Sequence, residues 1–379
     1  MRIAIDGRLL YYRQAGIGRY TVRLLAALTQ VAPQERFLLL HDWRQRRQLP
    51  RAPNLGHVRI YTPSHHRWEE FLLPTELLPL RLDLLHSPDF ILPTRRTCAG
   101  VVTVHDLAFL RFPEWLTPAA ARYYGRVGQA VHSAERVIAV SECTRRDLLE
   151  LLDVPEEKVA VIHEAAGAPF RPVQLPPTSR EFRGRHLAPQ RFALFVGTIE
   201  PRKNLPTLLR AFRLLLERHP RLDPHPRLII VGAQGWLSES VFGLVNELRL
   251  AQEVAFIGQV SEEDLIWLYN AARFLVFPSL YEGFGLPPLE AMSCGTPVIA
   301  SNAGAIPEVV GSGGLLLDPH DVDGWAEAMA ELWSDDARRA RLRLLGLEQA
   351  ARFSWQRAAQ ETLALYREAV ALRRERRHA

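Results

Sequence analysis

The stretch FPSLYEGFGLPPLEAMSCGTPVIASNAGAIPEVVG, residues 277–311, decides the fold because it contains a complete strand–loop–helix–strand unit. It begins at the end of an apolar run of strand length, residues 274–279, which the glycine-broken loop YEGFG follows. LPPLEAMSCG then carries proline in its first turn and Gly295 after its last residue, which is the pattern of a short helix. Residues 296–301, TPVIAS, are a second apolar run. The sequence therefore predicts two buried strands joined by a helix.

Two glutamates stand inside this unit. Glu282 lies in the predicted loop and Glu290 in the predicted helix, eight positions apart. Such a loop offers backbone N–H groups and the positive end of a helix to an anion. Two carboxylates beside an anion suit the hydroxyl groups that flank the phosphates of a nucleotide-sugar. A parallel-sheet unit with two solvated glutamates fits the same spacing, so the spacing alone leaves both interpretations open.

The segment resembles the Glu-x7-Glu signature of the retaining glycosyltransferases of family 4. The neighbouring segments EGFGLP and GTPVIASNAGAIPEV are more specific to that family than the glutamate pair. The resemblance implies the GT-B fold, an α/β architecture of two Rossmann-like, doubly wound domains that face each other across a cleft. It implies that Glu290 accepts from ribose hydroxyls and Glu282 from hydroxyls of the sugar. The backbone amides expected at the donor phosphate are those of Gly283, Phe284, Gly285 and Leu286.

Composition sets broad limits on the class of protein. The chain has 379 residues, which is long for one domain and comfortable for two. Apolar content of 47% and charged content of 23% are ordinary for a soluble protein, and no apolar run reaches the roughly 18 residues of a membrane span. The three cysteines are widely separated, which fits a reducing cytoplasm and gives no zinc spacing. The net charge of +5 does not predict nucleic-acid binding, since no basic run with interleaved aromatics resembles a stacking platform.

Short apolar runs alternate with helical patterns along the whole chain, which is typical of parallel α/β sheets. Seven such runs come before a stretch rich in proline and arginine and six come after it, so the sequence predicts two doubly wound domains. We place an N-terminal acceptor-binding domain at residues 1–170, a linker at 171–190 and a donor-binding domain at 191–354. The resemblance implies that the final helix, residues 355–379, joins the N-terminal domain.

The motif VGTIEPRKN, residues 196–204, follows the first strand of the second domain. Arg202 and Lys203 lie where a strand-end loop meets a helix, so they could neutralise a diphosphate through charge-assisted hydrogen bonds. Two solvated basic residues explain the pattern as well. The segment resembles the Arg/Lys pair with which family 4 enzymes hold the leaving diphosphate, and we assign Gly197 to the same donor site.

Near the N-terminus, Gly16 and Gly18 interrupt the pattern between a first strand and a helix. A dinucleotide fingerprint needs a third glycine three residues after Gly18, and Thr21 stands there, so NAD binding is disfavoured. A pair of turn glycines is the simple interpretation. The resemblance implies that the loop of residues 16–19 forms the floor of the cleft, close to the donor phosphate and the acceptor.

Two further strand ends carry candidate residues. His105 ends the run VVTVH and precedes Asp106; it could be a general base, a metal ligand or a hydrogen-bonded scaffold. The resemblance implies that its imidazole or main chain lies near the transferred sugar. Val260 ends VAFIGQV, which resembles a family segment that presents main-chain groups to the nucleobase, so guanine and uracil are not distinguished. In VSECTRRDL, Ser141 is predicted to cap a helix.

The resemblance implies a retaining hexosyltransferase that uses neither a protein nucleophile nor a metal, with His105, Glu282, Arg202 and Lys203 as its catalytic residues. The closest branch contains mannosyltransferases of surface-polysaccharide assembly. It implies a GDP- or UDP-linked sugar donor, with GDP-mannose favoured, and a lipid-linked or oligosaccharide acceptor. No cofactor is expected, and the location would be cytoplasmic, with peripheral contact to the inner membrane. A nucleotide-sugar epimerase or phosphorylase on the same fold, or an inactive nucleotide-sugar-binding module, remains an alternative.

Overall fold

The computed structural model describes residues 1–12, 16–46, 48–64, 66, 68–115, 125–235 and 239–378. The chain divides into two compact α/β units. Met1–Glu164 and Ser354–Ala379 form the first unit, and Ala165–Phe353 form the second. Each unit has its own parallel sheet.

The first unit is built on a parallel sheet. Its strands are β1 (Arg2–Asp6), β2 (Arg36–Asp42), β3 (Leu55–Ile60), β4 (Leu84–Ser87), β5 (Ala99–Val104), β6 (Arg136–Ala139) and β7 (Val159–Val161). Their order is β3-β2-β1-β4-β5-β6-β7. Every residue of β5 is buried, as expected for a parallel strand covered on both faces. The direction in which strands are added reverses between β1 and β4, which makes this the topological switch point of the sheet.

Helices cover this sheet in the usual alternation. They are α1 (Gly16–Val31), α2 (Glu69–Leu77), α3 (Ala108–Arg111), α4 (Val127–Ser133) and α5 (Glu142–Leu152). Ser141 caps α5, because its side chain accepts from the Thr144 backbone N–H at 3.0 Å. The cap predicted from sequence is therefore confirmed.

The second unit contains a larger parallel sheet and a small hairpin. Its strands are β8 (Arg180–Phe182), β9 (Arg185–Leu187), β10 (Ala193–Val196), β11 (Leu228–Val231), β12 (Val254–Gly258), β13 (Phe274–Phe277), β14 (Val298–Ser301) and β15 (Leu315–Leu317). The parallel sheet has the order β12-β11-β10-β13-β14-β15, so its switch point lies between β10 and β13. Each apolar run predicted from sequence contains one of the parallel strands of the two units.

The antiparallel hairpin β8–β9 lies in the segment 171–190, for which the sequence predicts a linker. Arg183 and Gly184 connect the strands, both with positive φ (50° and 77°), which matches the twist of a two-residue hairpin turn. Phe182 packs on Trp267 with ring centroids 5.5 Å apart. The sequence did not predict the hairpin, because its three-residue strands carry mostly charged side chains and show no alternation of apolar and polar residues.

Seven helices described in the second unit complete it. They are α6 (Leu205–Arg218), α7 (Glu239–Glu247), α8 (Glu262–Ala271), α9 (Leu286–Ser293), α10 (Ile306–Val310), α11 (Val322–Ser334) and α12 (Asp336–Ala350). The chain then returns to the first unit as α13 (Trp355–His378). Within the described residues, no helix combines the length and apolar content that a membrane crossing requires.

A buried polar chain connects α13 with the first sheet. The hydroxyl of Tyr366 lies 2.6 Å from His86 Nδ1, and His86 Nε2 lies 2.8 Å from Thr103 Oγ1. Thr103 Oγ1 is in turn 3.0 Å from the hydroxyl of Tyr20 on α1. Burial, together with the charge of His105, lowers the pKa of His86 to about 3, so this ring is neutral at physiological pH. Every member of this chain is hydrogen-bonded, which is the condition under which buried polar groups are tolerated.

We expect Tyr366→Phe to destabilise the first unit by about 1–3 kcal/mol, because His86 Nδ1 would lose its partner in a buried site. The ring, and therefore its packing, is retained in this variant. Urea unfolding of the variant and the unchanged protein measures the difference. Equal unfolding midpoints would contradict the stabilising role of this polar chain.

Candidate functional site

The loops that follow β10 and β13 meet at the switch point of the second sheet. Arg202 and Lys203 belong to a single 3-10 turn, Pro201–Lys203, after β10, and Glu282 lies in the loop after β13. The Leu280 backbone N–H donates to the Arg202 carbonyl at 2.8 Å, which ties the two loops together. In open α/β sheets, ligands bind outside the carboxyl ends of the strands at this position.

The three charged side chains form one buried cluster. Lys203 Nζ lies 2.5 Å from Glu282 Oε1, and Arg202 Nη1 lies 2.8 Å from Glu282 Oε2. Ser279 Oγ donates to Glu282 Oε1 at 2.7 Å. Arg202 also pairs with Glu200 through Nε. Only 5% of Lys203 and 7% of Glu282 is exposed, so neither residue is a solvated surface charge.

The electrostatics of the cluster keep Glu282 ionised. Burial alone disfavours its charge, but the positive charges of Arg202 and Lys203, with hydrogen bonds from Lys203 and Ser279, outweigh burial and lower the pKa of Glu282 to about 2. Burial and the nearby Arg202 lower the pKa of Lys203, and Glu282 opposes this shift. The Glu282 carboxylate compensates the buried Lys203, shares the partly buried Arg202 with Glu200, and fixes the positions of both cations.

Two glycines lie against this cluster. A Cβ at Gly197 would lie 3.4 Å from Lys203 Cε, an ordinary van der Waals distance, so Gly197 lies directly beside the lysine side chain. Gly304 has φ +59°, and a Cβ there would lie 2.7 Å from the backbone nitrogen and oxygen of Glu282. The next residue, Ala305, donates its N–H to the Glu282 carbonyl at 3.0 Å. Sequence reasoning did not single out Gly304, although the segment NAGA, residues 302–305, was part of the resemblance.

Helix α9 carries the second glutamate of the opening motif. It begins after Gly285, at φ +111°, which offers no capping side chain, and its first turn, LPPL, contains no acidic residue. The positive end of α9 is thus left uncompensated by its own first turn. Glu290 is 3% exposed, and the Tyr269 hydroxyl of α8 donates to its Oε2 at 3.0 Å. Sequence reasoning missed Tyr269, because no spacing signal connects it to Glu290.

The other residues predicted for the donor site lie around this helix and along the same sheet. Gly283 stands in the loop with Glu282, and Phe284 is buried with its ring 5.8 Å from that of Phe353. Leu286 is the first residue of α9. Val260 is half-buried two positions beyond β12, and β12 is two strand spacings, about 10 Å, from β10.

In the first unit, His105 follows β5 and both of its ring nitrogens have acceptors. Nδ1 lies 2.8 Å from a Glu164 oxygen, and Nε2 lies 2.9 Å from the Pro88 carbonyl oxygen. Burial opposes protonation, but Glu164, the Pro88 carbonyl and Asp89 outweigh it and raise the pKa of His105. An imidazole that donates from both nitrogens is a cation, so in this arrangement it cannot accept a proton. The general-base interpretation of His105 is therefore not favoured.

The glycine pair of the first unit differs from the expected turn. Gly16 is the first residue of α1 and Gly18 is buried in its first turn, so both are helical. Around Gly16 a Cβ would meet no atom within 4 Å, and crowding does not demand glycine there. The loop was predicted because two glycines are poor helix formers. Thr21, which replaces the third glycine of a dinucleotide fingerprint, donates its hydroxyl to the Ile17 carbonyl at 2.8 Å.

The predicted residues thus fall into two groups. Arg202, Lys203, Glu282 and Gly197 are brought together, with Glu290 and the start of α9 on the same loop–helix segment as Glu282. His105, Gly16 and Gly18 belong to the first unit.

Comparison with known proteins covers nearly the whole chain. Residues 15–165 match the family "Glycosyltransferase Family 4", and residues 179–346 match "Glycosyl transferases group 1". The O-antigen chain mannosyltransferase B of Escherichia coli is 34% identical over 389 residues, a match that covers 97% of this chain and 100% of the relative.

Solved structures show the same arrangement of strands and helices. Sucrose-phosphate synthase from Thermosynechococcus elongatus matches with a TM-score of 0.78 at 23% identity, over 98% of this chain and 100% of that chain. HepE from Anabaena, solved in complex with UDP and glucose, matches with a TM-score of 0.70 at 18% identity, over 96% of this chain and 98% of that chain.

We expect Glu282→Gln to destabilise the second unit by about 3–5 kcal/mol at neutral pH, since the buried Lys203 would lose its counter-charge and the partly buried Arg202 would keep only Glu200. The pKa of Glu282 is lowered on folding, so its contribution is present above the ordinary value of 4.5 and is lost as the pH falls through about 2. The stability difference between variant and unchanged protein should therefore shrink below pH 4.5.

Thermal unfolding at a series of pH values measures this difference. Glu217→Gln is the control, because Glu217 forms an exposed pair with Arg213 one helical turn away, and such pairs contribute little. A difference for Glu282→Gln that stays constant from pH 7 to pH 2 would show that folding does not lower the pKa of Glu282, which would contradict the ion cluster.

Proposed function

The chain belongs to the glycosyltransferases of family 4, and from this premise we propose that it is a retaining mannosyltransferase that takes mannose from GDP-mannose and adds it to an oligosaccharide or lipid-linked acceptor. Family membership makes it a hexosyltransferase of the GT-B fold that acts in glycan assembly. The nucleotide, the sugar, the stereochemistry and the roles of individual residues are our proposals.

The observation that carries the proposal is the cluster of Arg202, Lys203 and Glu282 at the switch point of the second sheet. When the bond between the sugar and the diphosphate breaks, negative charge develops on the leaving phosphate oxygen. Two cations already held in place beside a helix N-terminus stabilise that charge without having to reorganise. The site is therefore suited to a diphosphate leaving group.

Glu282 has a positioning role in this mechanism. Retaining glycosidases use a carboxylate nucleophile with a second carboxyl group about 5 Å away. Here both oxygens of Glu282 are engaged by Lys203, Ser279 and Arg202, so the carboxylate orients the cations and accepts from sugar hydroxyls. Retention then follows from departure and attack on the same face, with the leaving phosphate taking the proton of the acceptor hydroxyl as the new glycosidic bond forms.

Glu290 supports the ribose end of the donor, and His105 has a separate role that the family resemblance implies. Glu290, held by Tyr269, accepts from the ribose hydroxyls, and its isolation from water strengthens those hydrogen bonds. His105 contributes positive charge or its main chain near the sugar, since its ring nitrogens are bound to Glu164 and Pro88.

The choice of mannose rests on the mannosyltransferase name of the Escherichia coli relative. HepE, in complex with UDP and glucose, supports a nucleotide and a sugar as ligands of this fold. We propose that the enzyme works in the cytoplasm with peripheral contact to the membrane. The basic end of α13 does not favour contact through that helix, because Arg373 and Arg374 face Glu135 and Asp83 of their own unit at 3.3 and 3.8 Å.

Incubation with a panel of nucleotide-sugars tests the proposed reaction. We expect GDP-mannose to raise the melting temperature most and to be hydrolysed slowly to GDP and the α-anomer of mannose, which NMR of the fresh product identifies. An epimerised nucleotide-sugar would indicate an epimerase, and release of a sugar 1-phosphate with inorganic phosphate would indicate a phosphorylase. Binding without any turnover, or no binding at all, would contradict the transferase.

The two lysines of the chain offer a matched pair of variants. Lys203→Met should lower kcat by about 10²–10³-fold, because one preorganised cation at the leaving phosphate is lost. Lys158→Met should leave kcat unchanged, since Lys158 lies in the first unit and bonds the His132 carbonyl at 2.7 Å. Steady-state release of GDP in the presence of acceptor measures both. Equal losses in the two variants, or full activity in Lys203→Met, would remove Lys203 from the site.

A further inference from the structure

Three large aromatic side chains are exposed along one edge of the first sheet. Trp43 follows β2, Tyr61 follows β3, and Tyr12 follows the 3-10 turn Arg8–Tyr11 that succeeds β1. Their exposed fractions are 51%, 66% and 46%. Because the three strands are adjacent and parallel, all three rings stand at the carboxyl edge, where open α/β sheets bind their ligands.

The rings form an ordered surface. Trp43 and Tyr61 are stacked, with centroids 6.1 Å apart and planes at 22°. The Trp43 backbone N–H donates to the Ile60 carbonyl at 3.0 Å, and the Tyr61 N–H donates to Glu76 of α2 at 2.8 Å. These bonds hold the two loops in place, so the pair is fixed before any ligand arrives.

Arg44 anchors the third ring. Its guanidinium carbon lies 5.6 Å from the centroid of the Tyr12 ring, and Nη2 donates to the Tyr12 hydroxyl at 2.8 Å. Asp42, which is buried, accepts from Nε and Nη2 of Arg44 at 2.9 and 2.8 Å. The charge of Arg44 is therefore compensated by Asp42, and the surface formed by Trp43, Tyr61 and Tyr12 is aromatic.

A pyranose ring has the chemistry that matches this surface. Its C–H groups carry slight positive charge and meet the negative faces of aromatic rings, while its hydroxyls reach the polar edges of Trp and Tyr. Single-stranded nucleic acid would also stack, but it needs a positively charged groove along its backbone, and Arg44, which lies against Tyr12, is already paired with Asp42. Large apolar side chains exposed together in a monomer mark a binding surface.

The position of these aromatic rings in the sheet indicates which sugar residue of an acceptor they would contact. His105 follows β5, and β2 and β3 lie three and four strand spacings from β5, about 14–19 Å along the edge. That distance exceeds one sugar ring, so a ring stacked on Trp43 and Tyr61 would be several residues away from the reacting hydroxyl.

We propose that Trp43 and Tyr61, with Tyr12, form a subsite for an internal sugar residue of a glycan acceptor, so that the enzyme favours long acceptors over short ones. This inference deepens the proposed function and rests on it. The surface is called the aromatic subsite below.

The test compares a linear mannose disaccharide with a mannose hexasaccharide as acceptors for GDP-mannose. Trp43→Ala and Tyr61→Ala should raise KM for the hexasaccharide about 3- to 10-fold and leave kcat and the disaccharide KM unchanged. Trp43→Phe should restore the hexasaccharide KM. Leu344→Ala is the control, because Leu344 is also an exposed apolar residue but lies on α12 of the second unit, and it should change neither KM.

Equal changes for both acceptors, no change for either, or the same effect from Leu344→Ala would overturn the aromatic subsite. Calorimetric titration of both glycans without donor distinguishes a failure of the aromatic subsite from a failure of the proposed function. If no mannose is transferred but the hexasaccharide binds and Trp43→Ala weakens it, the subsite stands and the donor assignment fails. If the unchanged protein binds neither glycan but binds phosphatidylglycerol vesicles through Trp43, the edge is a lipid-binding surface and the inference is wrong.

Discussion

The ion cluster of Glu282 with Arg202 and Lys203 is the interaction on which the second unit and its site depend. A buried lysine and a partly buried arginine require counter-charge, which Glu282 supplies to both while Glu200 also pairs with the arginine. The same arrangement leaves two cations fixed at a sheet edge beside a helix N-terminus. Glu282 therefore serves both the stability of the unit and the binding of a ligand. The contacts with Arg202, Lys203 and Ser279 that hold its side chain are also the ones that lower its pKa.

Strand order then determines what the cluster can contact. Because β10 and β13 are neighbours at the switch point, loops that are about 80 residues apart in sequence are brought within hydrogen-bonding distance. In the first unit, the carboxyl edge carries His105 after β5 and the aromatic subsite after β2 and β3. Each sheet therefore presents its chemistry at its carboxyl edge, the donor-side charges in one unit and the aromatic surface in the other.

The parallel strands and the charged site residues could be predicted from sequence because their signals are local. Apolar runs mark buried strands, and Glu282 stands in a motif specific enough to be recognised. Tyr269 could not be predicted, since its contact with Glu290 depends on how α8 packs against α9. Glu164 was missed for the same reason: it lies 59 positions from His105 and only folding makes it that ring's partner. The hairpin at Arg183 lacked any apolar period.

The central proposal for this protein is that the two cations beside Glu282 bind the diphosphate of the donor. A crystal structure with GDP bound tests this most directly. It should place oxygens of the β-phosphate within hydrogen-bonding distance of Arg202 and Lys203, and the ribose hydroxyls on Glu290. A GDP molecule whose phosphates lie elsewhere, with Arg202 and Lys203 contacting protein carboxylates alone, would contradict the account.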